Sequence, residues 1–288
     1  MSLYRLRSSA FGRPEESNKA KPKSIVFLSV EGDATEKDYF TRLNEHIDNA
    51  VIHVEILRHR RGEGYNDPEN VIGLLREYFA IRNENILPSE VKEALKNDKT
   101  DLEIYLADPC KLSRKRRNEV KAGLLRLGID IEYRKYLRQL GTDRDIFGVL
   151  IDRDCGCHSR EVMEECIKEC INLDVGCYIS NPCFEFWLLL HLCDVRSEYT
   201  DEQLEELCAN RKVSNCHTVI SREISERAGH EKSISSGKFS KVYWPNLNLA
   251  VKRSKLFACD SNGLLDNLGS NVSLLIEAMG IVREEDKL

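Results

Sequence analysis

No apolar run in these 288 residues approaches the length that crosses a membrane. The longest, Phe186 to Leu190, falls far short of the roughly 20 residues that a bilayer-spanning helix needs. The N-terminus also lacks an apolar core behind its arginines, which argues against a secretory signal and places the protein in the cytoplasm. The cysteine count is 11, an odd number, and without a secretory signal it does not make a disulfide framework. Reduced thiols are expected, most of them small core hydrophobes. Positive charge is not in surplus either: the net charge is −5, unlike that of a chain that coats nucleic acid. Local basic stretches at Lys19 to Lys23, Arg58 to Arg61 and Lys111 to Arg117 still leave room for a nucleic-acid partner. Internal repeats and low-complexity tracts are absent.

What is present is an ordinary globular composition, 41% hydrophobic and 32% charged, long enough to bury a real core in one large or two modest domains. Residues 1–23 mix Arg, Ser, Pro, Glu and Lys without periodicity and read as a flexible arm. Ile25 to Leu28 is a continuous apolar strand, Gly32 breaks it, and Glu36 to Asn49 takes up helical spacing through Tyr39, Phe40, Leu43 and Ile47. That is the opening of a β-α-β unit. Val51 to Leu57 alternates as a second strand, and Asn70 to Ala80 reads as a helix. From about 82 to 142 the pattern turns polar and helix-leaning, an insertion between strands. Ile146 to Ile151 restores a buried strand, and Ser159 to Asn172 follows as a helix with Val162, Cys166, Ile167, Cys170 and Ile171 on its apolar face. Val175 to Ile179 is the next strand, and Ser180-Asn181-Pro182 reads as a helix start with Asn181 as cap. Beyond Asp194 only helices and polar loops are expected. The organisation is an arm (1–23), an α/β core (24–195) carrying the insertion, and a helical C-terminal region (196–288).

Two acidic clusters sit where apolar strands end: Glu31-Gly32-Asp33-Ala34-Thr35-Glu36, and Asp152-Arg153-Asp154. Open α/β sheets present their sites at the C-terminal ends of strands. Side chains alternate along a strand, so Asp152 and Asp154 share a face. Such a pair suits a hard cation such as Mg²⁺, which takes oxygen ligands. If the Glu31 strand is a neighbour in a parallel sheet, the carboxylates converge into a charge that a metal would stabilise.

The stretches Glu31 to Phe40, Asp152 to Asp154 and Ser180 to His191 together resemble the signature blocks of the RloB-like proteins, a family of bacterial restriction and phage-defence loci related to Toprim domains. The similarity covers roughly 24–87 and 142–280, with Asn271 to Met279 resembling the family's C-terminal helix, and it departs in the insertion. It implies a Toprim-like parallel sheet flanked by helices. It also implies Glu31 as general acid or base, and Asp152 and Asp154 as ligands of Mg²⁺ or Mn²⁺.

Glu185 lies one turn into the expected helix, where the dipole favours a carboxylate. The family block keeps it beside Asn181, which makes it a further candidate metal ligand. Glu36 and Asn181 are candidates to support the ligands, although each also reads as an ordinary helix-terminal residue. Phe184, Trp187, Leu188 and His191 share one helical face and read as core. Cys155, Cys157 and His158 follow the acidic pair, but their spacing is not the usual zinc knuckle. Arg114, Lys115, Arg116, Arg117, Lys238 and Lys241 are candidates for phosphate contact, against a plain solvated helix face.

These readings converge on a metal-dependent nuclease acting on DNA or RNA, tRNA included, in phage defence. A regulatory or scaffolding subunit, silent until a partner releases it, is the rival. A phosphoester enzyme with a small substrate is a third reading, favoured if the insertion closes the crevice. A protein partner from such a locus and a homodimer are both allowed.

Overall fold

The computed structural model describes residues 22–32, 34–58, 67–83, 87, 99–142, 144–154, 156–229 and 233–282. The expected arm, most of the Arg58 to Arg61 stretch, Asp33 and Cys155 therefore fall wholly or mainly outside the described residues. The centre is a five-stranded sheet in the order β2-β1-β3-β4-β5, built from β1 (Ser24–Val30), β2 (Ile52–Ile56), β3 (Ile146–Asp152), β4 (Gly176–Asn181) and β5 (Gly269–Ser270). The first four strands run parallel, with Val30 opposite Leu150 and Asp152 opposite Ser180. The fifth pairs antiparallel to β4. Two residues are too few for a period-2 pattern to register, which is why the sequence contains no readable signal for β5.

Alternation along β1 divides the core. Val26, Leu28 and Val30 face one cluster, shared with Tyr39, Phe40 and the aromatic helix after β4. Ile25 and Phe27 face the other. The helices covering the first face are α1 (Thr35–Asn44), α7 (Phe184–Leu192) and, from the C-terminal region, α9 (Val219–Ala228), α10 (Leu247–Ser254) and α11 (Val272–Ala278). The second face is covered by α2 (Pro68–Asn83) and α6 (Arg160–Leu173). Between α2 and β3 come α3 (Lys99–Ala107), α4 (Arg114–Arg126) and α5 (Ile131–Gln139), and between α7 and α9 comes α8 (Asp201–Ala209).

The stretch expected as an insertion is helical and has a small core of its own, formed by residues such as Leu102, Tyr105, Val120 and Leu124. Its last helix is part of the sheet layer as well: Leu137 joins the second core, the buried Arg134 pairs with Glu77 of α2, and the Tyr136 hydroxyl donates to Glu55 of β2 at 3.2 Å.

Two local expectations are corrected. On α6 the buried positions are Met163, Cys166, Ile167 and Cys170, while Ile171 is 73% exposed, so the apolar face is rotated from the one read in sequence. Asn181 does not cap a helix. It is the last residue of β4, it is followed by a cis peptide to Pro182, and α7 begins only at Phe184 with Cys183 before it. The cap comes from another strand: Asp152 Oδ1 accepts the Phe184 N–H at 2.8 Å.

A carboxylate site at the β1–β3 crevice

The chain leaves β1 toward β2 on one side and reaches β3 and β4 on the other, so strand order reverses between β1 and β3. In open α/β sheets the crevice at the carboxyl ends of such a pair is where ligands bind. Glu31 follows the last residue of β1, and Asp152 is the last residue of β3. The backbone joins them directly: Glu31 N–H donates to the Leu150 carbonyl at 3.1 Å, and Asp152 N–H donates to Glu31 Oε2 at 3.1 Å.

Parity on β3 decides what Asp152 faces. Leu150 belongs to the first core and Ile151 to the second, so Asp152 turns toward the side of α1 and α7. Those helices present Glu36 and Glu185. The result is a group of acids that acts on itself. Burial pushes the Asp152 carboxyl well above the usual carboxylate range, and repulsion from Glu36, Glu185 and Glu31 pushes it further. Burial, and then the charges of Glu185 and Glu31, push Glu36 up to about 7. Glu36 is only 5% exposed, and its carboxylate lies over Gly32 so closely that a Cβ there would collide with it. A side chain at this position would therefore displace the Glu36 carboxylate from its place over the turn.

His158, considered in the sequence only as part of a zinc triplet, is the partner of Glu31: its Nε2 lies 2.9 Å from Glu31 Oε1, and the residue is 8% exposed. The buried Arg153 fixes the backbone around it, donating from one guanidinium nitrogen to the His158 carbonyl at 2.7 Å and from Nε to Leu265 at 2.8 Å. Asp154 differs from Asp152. It lies past the strand end and is exposed, its N–H donates to the Pro182 carbonyl at 3.0 Å, and its Oδ1 accepts from Gly156 N–H at 3.2 Å. Its carboxylate pushes the pKa of the Cys157 thiol up.

The remaining candidates distribute as follows. Asn181 is fully buried, donates from Nδ2 to the Leu264 carbonyl at 2.8 Å and accepts the Cys208 thiol at 3.8 Å, so its side chain supports the β4 edge. His191 is a core histidine between the Tyr39 hydroxyl at 3.2 Å and the Tyr243 carbonyl at 2.9 Å, and burial lowers its pKa to about 3. Lys238 lines a cavity together with Glu185, whereas Lys241 is exposed one turn on. Arg114 to Arg117 form the first turn of α4, where Arg116 pairs with Asp101 at 2.9 Å and Lys115 approaches Glu119 at 4.0 Å.

The donor set is all oxygen, which fits a hard cation such as Mg²⁺. Among the described residues, no three or more His, Cys, Asp or Glu side chains are grouped so that they could hold a metal ion as they stand. Mg²⁺ usually keeps several waters and takes one or two carboxylates, so a few carboxylates at the crevice mouth suit it without a full protein cage.

Fold and site thus define an α/β protein with an acidic crevice at its topological switch point. The chain belongs to the RloB-like protein family, whose model matches residues 26–279. No match was found among curated proteins or among solved structures. No helix among the described residues is long and apolar enough to cross a membrane.

Proposed function

We propose that the chain is a metal-dependent phosphodiesterase that cleaves nucleic acid, with a role in phage defence of the kind its resemblance implies. The observation that carries this reading is the meeting of Glu31, Glu36, Asp152 and Glu185 at the β1–β3 crevice, where every charge that raises the Asp152 carboxyl is negative. A buried group of like charges stays ionised at neutral pH only with a cation beside it.

In this reading Asp152, Asp154 and Glu185 would hold Mg²⁺ or Mn²⁺, which would supply charge stabilisation to the scissile phosphate. Glu31 moves the proton. Two groups already position it: the Asp152 N–H donates to Oε2, and with the proton on Nε2 the His158 imidazole donates to Oε1. Glu31 takes a proton from the attacking water, whose oxygen bonds to phosphorus as the ester P–O bond breaks. The leaving oxygen then takes a proton from solvent water, and Glu31 returns its own to solvent. Glu36, 5% exposed on the first turn of α1, stands behind these ligands in this reading.

The basic first turn of α4 supports a polyanionic substrate. Four cations stand on that turn, and although Arg116 is held by Asp101 and Lys115 approaches Glu119, the turn still offers a basic surface at a helix N-terminus, whose dipole favours anions. Calorimetric titration of Mg²⁺ and Mn²⁺ tests the metal assignment. Binding should disappear in the Asp152→Ala, Asp154→Ala double variant, and wild-type affinity in that variant would overturn it.

A further inference from the structure

Beside the carboxylate group lies a cavity of about 210 Å³. Glu185 joins the two: it follows Phe184, whose N–H donates to Asp152 at 2.8 Å, and it lines this cavity. The apolar part of the lining is Leu188, Ile224, Ile234 and the buried Tyr243, and the polar part includes His217 and Lys238. Glu185 and Tyr243 line the same cavity, so its aromatic wall lies on the side of the metal-site candidate.

This combination is specific in kind. An apolar and aromatic floor accepts a flat ring, hydroxyl and imidazole groups satisfy ring edges or sugar oxygens, and a lysine at the rim meets a phosphate. The volume is below the usual span of pockets for drug-sized ligands, about 300–1,000 Å³. A base inside a duplex cannot enter such a space without unpairing and unstacking, whereas a base in a loop, bulge or end is already free to do so.

We infer that this cavity receives one unstacked nucleotide next to the phosphate to be cleaved, and that the substrate is therefore single-stranded or looped nucleic acid rather than continuous duplex. The inference rests on reading the carboxylate group as a phosphodiesterase centre. Lys238 contacts the flanking phosphate, and Ile224 and Tyr243 contact the base.

The test is fluorescence anisotropy of the full chain carrying Glu31→Gln, in Mg²⁺, with a labelled single-stranded oligonucleotide and the duplex of the same sequence, each as DNA and as RNA. Single-stranded binding should be at least tenfold tighter than duplex binding in one or both chemistries. Ile224→Trp, which fills the cavity, should weaken single-stranded binding about tenfold and leave duplex binding unchanged. Lys238→Ala should weaken it about threefold and reduce its salt dependence. Equal binding of duplex, or single-stranded binding within twofold of the parent in both cavity variants, would overturn the inference. If Ile224→Trp fails to fold by circular dichroism, Lys238→Ala at the rim decides alone by the same twofold limit. Cleavage by the wild-type chain is scored separately: cavity-dependent binding without cleavage removes only the phosphodiesterase reading, and cleavage with cavity-independent binding removes only the nucleotide subsite.

Discussion

Glu31 follows β1 and Asp152 ends the adjacent parallel β3, and the amide of Asp152 donates to Glu31 Oε2 at 3.1 Å, so the glutamate carboxylate is held by the backbone of the residue proposed to bind metal. The sheet register sets this spacing. A substitution that changes the chemistry of Glu31 while keeping its shape leaves the register intact.

Glu31→Gln is therefore expected to lower kcat by roughly 10² to 10⁴, the usual worth of general acid–base catalysis. Its melting temperature should stay within about 3 °C of the parent, since Gln still offers an oxygen to the Asp152 amide. Single-turnover cleavage and thermal denaturation of the same preparation check both halves. A large fall in melting temperature would make Glu31 a structural residue of the turn.

His158 is a positioning residue in this account, acting through Glu31. His158→Ala should reduce kcat about tenfold or more, the scale seen when a group orienting a site residue is removed, with KM nearly unchanged. His158→Gln, able to donate to the same oxygen, should recover part of that loss. Equal losses in the two variants would show that imidazole packing, not its hydrogen bond, is what matters.

Glu36 gives a pH test whose sign is fixed by its environment. Its pKa rises from 4.5 in the open chain to about 7 in the fold, so the folded state holds a proton that the unfolded chain has released, and metal-free stability falls as pH rises across that window. Below the unfolded value both states are protonated and the contribution is fully present. Glu36→Gln should melt roughly 5 °C above wild type at pH 8 without metal, and the difference should vanish near pH 4.5. Scans in a chelator at the two pH values measure it. A difference independent of pH would mean that Glu36 is not held in its protonated form.

Charge reversal of Arg114, Lys115, Arg116 and Arg117 tests the basic turn of α4. Each neutralised phosphate contributes about −0.7 to −0.9 to the slope of log K against log salt, so the variant should bind nucleic acid more weakly and with a flatter slope. An unchanged slope would assign this turn to a protein partner.

Much of this layout can be read from residues alone, for identifiable reasons. Buried parallel strands are continuous apolar runs, so Ile25 to Leu28 and Ile146 to Ile151 declare themselves, and the acids that end them mark the crevice. What stays hidden depends on partners distant in sequence. His158 meets Glu31 across 127 residues, and no local pattern encodes that bond. Asp152 caps α7 from a different strand, which displaces the start of the helix from the local signal at Asn181 and Pro182. Periodicity on α6 could not distinguish Met163 from Ile171, because α2 and β4 choose which apolar flank is covered.

The most direct measurement is cleavage of a labelled single-stranded nucleic acid by the purified full chain in Mg²⁺ or Mn²⁺, beside the same reaction in EDTA and beside Asp152→Asn. The account predicts cleavage by the wild-type chain with metal, none in EDTA, and a loss of at least a hundredfold in the variant. Cleavage that persists in EDTA or in Asp152→Asn, or a wild-type chain that binds metal and nucleic acid yet leaves the strand intact, would contradict it.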